Sequence, residues 1–218
     1  MRTSFGLLAL LSCPALAATV EVHPGDDLFG AMAALQAGDE LVVHEGTYSS
    51  QQSGGSWFRD VQLAGTEDQP IVVRAADGAA VRIEGDPAGS QNILNLGGTW
   101  FTFRGFELVY GSHGLRLTTL AHATIADLHI HDTNSVGISA NIPDNTYQDL
   151  TITGLEVHDT DGHGECMYLG CNDGDCTMWD SHVTFNHCHD MGGDQGDGIE
   201  LKTGSYNNRI AHNLIVNA

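Results

Sequence analysis

The sequence has little positive charge. Its 218 residues include 28 Asp and Glu but only 8 Lys and Arg, and Lys202 is the single lysine. A formal net charge of −20 repels phosphate backbones, so we expect no nucleic-acid partner. An anionic polymer can approach such a surface only across a bridging cation. The alternative is that the acidic excess only maintains solubility, or suits the protein to salt or calcium outside the cell.

Long apolar runs are missing after the first 17 residues, so we expect no membrane span. The start, MRTSFGLLALLSCPALA, combines Arg2, an apolar run and an Ala-Leu-Ala cleavage pattern. It predicts a signal peptide over residues 1–17, with a lipoprotein signal that ends at Cys13 as the alternative. We therefore expect a secreted monomer. The alternative locations are the periplasm and, if Cys13 is lipidated, a lipid-anchored position at the cell surface.

Cysteine is scarce, and four remain after the predicted cleavage: Cys166, Cys171, Cys176 and Cys188. In an oxidising compartment they allow two disulfides with three connectivities. Cys171 and Cys176 flank a short NDGD turn, which favours a bridge between them. A zinc site is the alternative, although this spacing is not that of a zinc finger.

A repeat dominates the second half of the chain. The segments TIADLHIHDT (124–133), TITGLEVHDT (151–160), VTFNHCHDM (183–191) and RIAHNLIVNA (209–218) align on Ile125, Ile152, Val183 and Ile210. Each alternates apolar and polar residues, as a β-strand does. The segment FTFRGFELVYG fits one step earlier, at Phe103. The register also stacks His131, His158 and His189, each followed by Asp, so that a transition-metal site or a turn held by backbone hydrogen bonds is expected there.

A second strand follows each repeat, in GLRLT, GISAN, CMYLG and GIELK. Short strands that recur without intervening helices predict a solenoid in which coils stack strand on strand. Alternation places Leu115, Ile138, Met167 and Ile199 inside. We therefore predict an all-β, parallel β-helix of about five or six coils, with a β-sandwich as the competitor.

The first part of the mature chain differs from the repeats. Asp26 is expected to cap a helix over residues 27–36 that Gly38 ends, followed by a strand over residues 40–44. Such a helix would cover the open end of the solenoid. We therefore predict an N-terminal cap over 18–50 and the β-helix over 51–218, and we expect the chain to be truncated because it stops within a strand unit.

Three segments carry a family resemblance: GDDLFGAMAALQAGDELVVHEGTY, GTEDQPIVVRAADGAAVRIEG and GGTWFTFRGFEL. They resemble the opening of secreted right-handed β-helix polysaccharide lyases of the chondroitinase B and alginate lyase kind, or of the family 9 pectate lyases. The resemblance implies a right-handed β-helix. It also implies a calcium ion that neutralises a uronate carboxylate and a lysine that takes the C5 proton before the 4-linked sugar is eliminated.

The second strands indicate where this chemistry would lie. Glu200 and Lys202 point outward together, and Glu165 and Asp197 stack in the turns before two successive strands. With Asp194 in the adjoining loop, these carboxylates suit calcium, which takes six to eight oxygen ligands. The expected calcium ligands are Glu165, Asp194, Asp197 and Glu200.

Lys202 is the expected base, since it is the only lysine and a nearby cation would lower its pKa. The alternative is a solvated ion pair between Lys202 and Glu200, with the base on a later coil. Arg116, Tyr168 and Tyr206 are expected to bind the substrate.

The predicted function is that of a secreted, calcium-dependent lyase of an acidic polysaccharide. A non-catalytic carbohydrate-binding β-helix is one alternative. The other is a glycoside hydrolase that would use Asp194 and Asp197 as its two carboxylates.

Overall fold

The computed structural model describes residues 17–218, so that Cys13 and all of the predicted signal peptide except Ala17 lie outside the described residues. Within these residues, one helix, α1 (Leu28–Ala34), accompanies twenty strands. Within residues 17–218, no helix has the length and apolar character of a membrane span. The strands are β1 (Thr19–Val22), β2 (Glu40–Val43), β3 (Gly46–Ser49), β4 (Asp60–Ala64), β5 (Ile71–Ala75), β6 (Val81–Glu84), β7 (Leu94–Arg104), β8 (Glu107–Val109), β9 (Leu115–Ala126), β10 (His129–Thr133), β11 (Ile138–Ala140), β12 (Thr146–Thr153), β13 (Glu156–Thr160), β14 (Met167–Leu169), β15 (Thr177–Trp179), β16 (His182–Thr184), β17 (His187–His189), β18 (Ile199–Leu201), β19 (Arg209–Ala211) and β20 (Leu214–Val216).

Parallel pairing between successive coils builds two sheets, of thirteen and seven strands. The long strands β7, β9 and β12 run through more than one ladder of the larger sheet. The smaller sheet has the order β3-β6-β8-β10-β13-β17-β20, each strand lying on the strand of the previous coil. The predicted all-β parallel β-helix is confirmed.

The register predicted from the repeat is also confirmed. Ile152 pairs with Ile125 on one side and with Val183 on the other, and Val183 pairs with Ile210. The first three of these side chains are fully buried, whereas Ile210 on the last coil is 42% exposed. Stacked aliphatic columns of this kind exclude water from the interior and supply the main stabilising contribution.

The number of coils differs from the prediction. The smaller sheet contributes one strand to each coil and has seven strands among the described residues, not the five or six expected. The additional coils contain β3 and β6, whose sequences lack the His-Asp-Thr pattern by which the repeat was recognised. Their pairing follows instead from the alternation of buried Val81 and Ile83 with polar neighbours.

The N-terminal helix is present but shorter than expected. Asp27, not Asp26, is its N-cap, and the Asp27 carboxylate accepts a hydrogen bond of 3.0 Å from Gly30 N. The helix ends at Ala34, and the Asp39 carboxylate binds the freed N–H of Gln36 at 2.8 Å. Strands β1–β3, which lie within the expected cap, already pair in the two sheets.

Two disulfides lie in the later coils. Cys171 is bonded to Cys176 as predicted, and Cys166 is bonded to Cys188. These four thiols are therefore not zinc ligands, because each is used in a disulfide. The Cys166–Cys188 bridge crosses the interior, since both residues are fully buried.

Candidate functional site

One ladder of the larger sheet carries most of the expected site. It consists of β4, the first halves of β7 and β9, and then β11, β14 and β18; we call it the cleft ladder. Arg116 pairs with Ser139, Ser139 with Tyr168, and Tyr168 with Glu200. Each of these four residues follows one of the inward-facing residues that the alternation predicts, and their stacking brings one side chain from each of four coils to the same column.

A cleft of about 310 Å³ lies along this ladder. Three predicted residues line it, namely Arg116, Glu165 and Tyr168. The polar residues His113, Asn141, His163, Asn172 and Gln195 complete its wall. Val136 adds an apolar part to the wall, but most of the lining residues are polar, which suits a hydrophilic ligand better than an apolar one.

Buried polar atoms without partners concentrate in this cleft. Within residues 17–218, the buried side-chain atoms without a hydrogen-bond partner include Arg116 Nε, Asn141 Oδ1 and Glu165 Oε2. A buried polar atom left unpaired costs free energy, commonly about 1–3 kcal/mol. Three such atoms at one cleft make it the candidate site, because a ligand, an ion or ordered water that enters the cleft can satisfy them.

Glu165 is the most unusual of the three. Its side chain is almost wholly buried, and the residue is 1% exposed. Burial raises the pKa of its carboxyl above 4.5, and Glu200 adds to the rise, whereas His163 and Lys202 oppose it. A carboxylate held in this way gains a partner when a cation binds.

Lys202 and Glu200 form an ion pair at the edge of the same column. Lys202 Nζ is 2.5 Å from Glu200 Oε2 and lies 4.1 Å from the centre of the Tyr168 ring. Burial lowers the pKa of Lys202, but the Glu200 carboxylate outweighs burial and leaves this pKa above 10.5. The resting structure therefore holds Lys202 in its charged form.

The two remaining predicted calcium ligands lie in the exposed turn before β18. Cys166 N donates a hydrogen bond of 2.9 Å to Asp197 O, so Asp197 lies one coil beyond Glu165 as expected. The Asp197 and Asp194 side chains are exposed, whereas Gln195 between them lines the cleft. Both carboxylates are thus carried by a turn that borders the cleft.

Tyr206 lies outside the cleft. It is 58% exposed and stacks on Trp179, with 6.0 Å between the ring centres and 6° between the ring planes. The two residues form a flat aromatic patch on the ladder that follows the cleft ladder along each coil.

Sequence reasoning missed His113, whose ring forms a 2.7 Å hydrogen bond between Nδ1 and Ser139 Oγ. Burial, together with the charges of Arg116 and His163, lowers the pKa of His113 to about 4. His113 is therefore neutral at neutral pH. It belongs to the turn before β9, where the strand alternation that located the other residues does not apply.

The assembled groups can bind an anionic sugar and a hard cation. Arg116 offers a guanidinium, Asn141 and Glu165 offer oxygens, and Lys202 offers an amine. Oxygen donors are those that calcium prefers. A cation held by these oxygens next to the amine would suit proton removal from a carbon beside a carboxylate whose charge the cation neutralises.

Comparisons with known proteins bear on the fold. No protein-family model matches the chain, and no curated protein matches it in sequence. Among solved structures, an alginate lyase from Paenibacillus sp. str. FPU-7 is similar with a TM-score of 0.51 and 15% identity, over 92% of this chain and 99% of that one. The fold is thus shared at low sequence identity.

Two further lyases have the same fold. Pectate lyase Pel9A matches with a TM-score of 0.54 and 16% identity, over 91% of this chain and 63% of its own. A mannuronic acid-specific polysaccharide family 6 lyase from human gut microbiota matches with a TM-score of 0.52 and 14% identity. The match covers 91% of this chain and 54% of that enzyme. The chain spans less than two thirds of these two enzymes. Its fold is that of the β-helical polysaccharide lyases, as the sequence resemblance implied.

Proposed function

We propose that the protein is a secreted, calcium-dependent lyase that cleaves an acidic, uronate-containing polysaccharide by β-elimination at the Glu165 cleft. The observation that carries the proposal is the buried Glu165 carboxylate, which has an oxygen without a partner and lies among cationic and polar side chains. The shared fold of the lyases supports it. The two disulfides fit an extracellular location.

The donors of the cleft fit calcium. Glu165 and Asn141 have buried oxygens without partners, and Glu200 adds a second carboxylate. Asp194 and Asp197 are proposed as further ligands from the bordering turn. When bound, calcium would neutralise the uronate carboxylate, acidify the C5 proton and lower the pKa of Lys202.

Lys202 is the proposed base that takes the C5 proton. Its contacts with Glu200 and Tyr168 hold the amine in one position, which is the orientation that proton transfer requires. Because the pKa of Lys202 lies above 10.5 in the resting structure, little of the amine is neutral at pH 7. We therefore expect the elimination rate to increase with pH over the neutral and alkaline range.

Arg116 and the aromatic residues are proposed to bind the polymer. The Arg116 Nε has no partner in the structure and is free to pair with a second uronate carboxylate. Tyr168 lines the cleft, and Tyr206 with Trp179 offers a flat surface farther along the coil on which a sugar ring can stack. These contacts favour a substrate longer than a single residue.

The test is incubation of the full chain with alginate, polygalacturonate and chondroitin sulfate, each with calcium and with a chelator. A lyase produces an unsaturated sugar that absorbs ultraviolet light, and we expect this signal only with calcium. Asp197→Asn should remove calcium binding and activity together, whereas Glu67→Gln, an exposed acid outside the cleft, should change neither.

Two outcomes contradict the proposal. Reducing ends without ultraviolet absorbance would indicate a hydrolase, and retention on the polymer without either product would indicate a binding protein. Activity undiminished by the chelator would contradict the calcium requirement alone.

A further inference from the structure

The outer face of the smaller sheet carries two adjacent columns of histidine and glutamate. Pairing across β8, β10, β13 and β17 aligns Glu107, His129, Glu156 and His187 in one column. The same strands align His131, His158 and His189 in the next column. We call this surface the histidine face. The residues between the two columns point inward and are fully buried, among them Ile130, Val157 and Cys188.

Glu156, His187 and His189 form one three-residue cluster on this face. One ligand atom from each lies within 4.8 Å of the other two. His189 Nε2 is 3.3 Å from Glu156 Oε1, and His187 Nδ1 is 3.9 Å from the same oxygen. In a tetrahedral zinc site, neighbouring ligand atoms are about 3.4 Å apart, given metal–ligand distances near 2.1 Å. Both distances to Glu156 Oε1 are therefore within about half an ångström of the tetrahedral value.

The other ring nitrogen of His189 is already held. His189 Nδ1 is 2.8 Å from Asp190 Oδ2, and Asn217 Nδ2 donates to the other Asp190 oxygen at 2.9 Å. A carboxylate on one imidazole nitrogen fixes the ring and its tautomer so that the other nitrogen is free to bind a metal. This pairing explains the repeated His-Asp sequence better than a backbone hydrogen bond does, since His131 and His158 have the same contact with the aspartate that follows.

The strand that supplies the two histidines is fixed from inside. Cys188 lies between His187 and His189 on β17, points inward and is bonded to Cys166. The backbone positions from which the two imidazoles project are thus set before any ligand binds. A site with preformed ligands loses less conformational entropy on binding.

The second cluster on the histidine face, which consists of Glu107, His129 and His131, is less available to a metal ion. Glu107 forms an ion pair with the Arg82 guanidinium, which already neutralises its charge. His129 Nε2 is 2.8 Å from His158 Nε2, and the His129 nitrogen therefore already has a hydrogen-bond partner. Glu156 has no such arginine among its ion-pair partners, which are His187 and His189.

We propose that Glu156, His187 and His189 bind a zinc-class divalent cation on the histidine face. Two imidazole nitrogens and one carboxylate oxygen favour zinc or a similar transition metal over calcium, which prefers oxygen donors alone. Three protein ligands leave a fourth position open for water or an added ligand. The bound ion would join β13 to β17, and so stabilise the contact between two successive coils.

The site lies on a different sheet from the cleft ladder and does not depend on the proposed lyase activity. Calcium should therefore not displace zinc from the histidine face. The two proposals are separable, because zinc binding at this face is measured on the metal alone without any polysaccharide.

The experiment is titration of the metal-free full chain with Zn²⁺, followed by calorimetry, and with Co²⁺, followed by its visible absorption. We expect one tight site per chain, a tetrahedral cobalt spectrum and a higher unfolding midpoint with zinc. His187→Gln, His189→Gln and Glu156→Gln should each weaken zinc binding at least tenfold. His131→Gln, in the neighbouring cluster, should leave the affinity within a factor of two.

Asp190→Asn tests the positioning contact, and should weaken zinc binding about tenfold without removing a ligand. The unfolding midpoint of each metal-free variant, compared with that of the wild type, shows whether the variant has folded. The proposal is overturned if the chain binds no zinc, if the His187→Gln/His189→Gln variant binds it unchanged, or if His131→Gln abolishes binding instead.

Discussion

Lys202 and Tyr168 lie on successive coils, and the ammonium nitrogen of Lys202 is 4.1 Å from the centre of the Tyr168 ring. A cation over an aromatic face is stabilised by the ring quadrupole. The lysine side chain is only 14% exposed, whereas a solubilising lysine would extend into water. The one lysine of the chain is thus held against the wall of the cleft.

Lys202→Ala is expected to lower lyase activity by a factor of about 10² to 10⁴, the usual contribution of a general base. Calcium affinity should stay the same or increase slightly, because a positive charge near the ligands is lost. Ultraviolet absorbance of the product and calorimetric titration with calcium measure the two effects. The matched control is Arg209→Ala, an exposed cation on the same coil. Full activity in Lys202→Ala would show that the base is another group.

Glu165→Gln should stabilise the calcium-free protein at pH 7 by about 1–3 kcal/mol, since it removes a buried, unpaired charge. Burial raises the pKa of Glu165, so the wild-type protein loses stability as the pH increases through that raised pKa. The difference between the two proteins should therefore disappear near pH 4. Denaturant unfolding at several pH values measures it. If calcium stabilises the variant as much as the wild type, Glu165 is not a ligand.

His113 should make stability depend on pH in the acidic range. Its pKa is about 4 in the folded protein, against 6.5 for an ordinary histidine. The unfolded chain therefore binds a proton first, and a contribution of up to about 3 kcal/mol, present above pH 6.5, is lost as the pH falls towards 4. His113→Gln should flatten this part of the unfolding curve, whereas His182→Gln, at an exposed position, should not. An unchanged slope in His113→Gln would contradict the buried neutral state.

The two disulfides should contribute unequally. Cys166 and Cys188 are 22 residues apart and Cys171 and Cys176 are 5 apart. Loop-closure entropy assigns about 3 kcal/mol to the longer loop and about 2 kcal/mol to the shorter one. The Cys166→Ala/Cys188→Ala variant should therefore unfold at a lower denaturant concentration than Cys171→Ala/Cys176→Ala. The reverse order would show that the short loop is held mainly by its disulfide in the folded state.

Most of the fold follows from a pattern that one sequence displays. A solenoid repeats the same local interactions, so aligning Ile125 with Ile152 and Val183 predicts both the strands and their partners. The repeat does not reveal the first coils, because β3 and β6 lack the His-Asp-Thr signature and show only the alternation of buried and more exposed residues. The expectation of Asp26 as the helix cap is wrong because Asp26 and Asp27 are equally good caps by residue type, so that the sequence alone does not separate them. The structure uses Asp26 to bind His23 N instead.

The site was predictable only where strand alternation applies. Arg116, Tyr168 and Glu200 fall in one column because they lie on strands whose register the repeat predicts. His113, His163 and Gln195 come from turns, whose side-chain directions do not follow a period of two. The sequence also does not predict the burial of Glu165, because that burial depends on the neighbouring coils that cover the turn. That burial is what distinguishes Glu165 from the exposed Asp197 stacked on it.

The Cys166–Cys188 bridge links two surfaces that face different ways. Cys166 directly follows Glu165 in the wall of the cleft, and Cys188 lies between the two histidines of the outer sheet. A reductant that opens this one bond therefore removes the covalent link beneath both surfaces at once. We therefore expect reduction of this single buried disulfide to affect the oxygen-donor cleft and the imidazole cluster together.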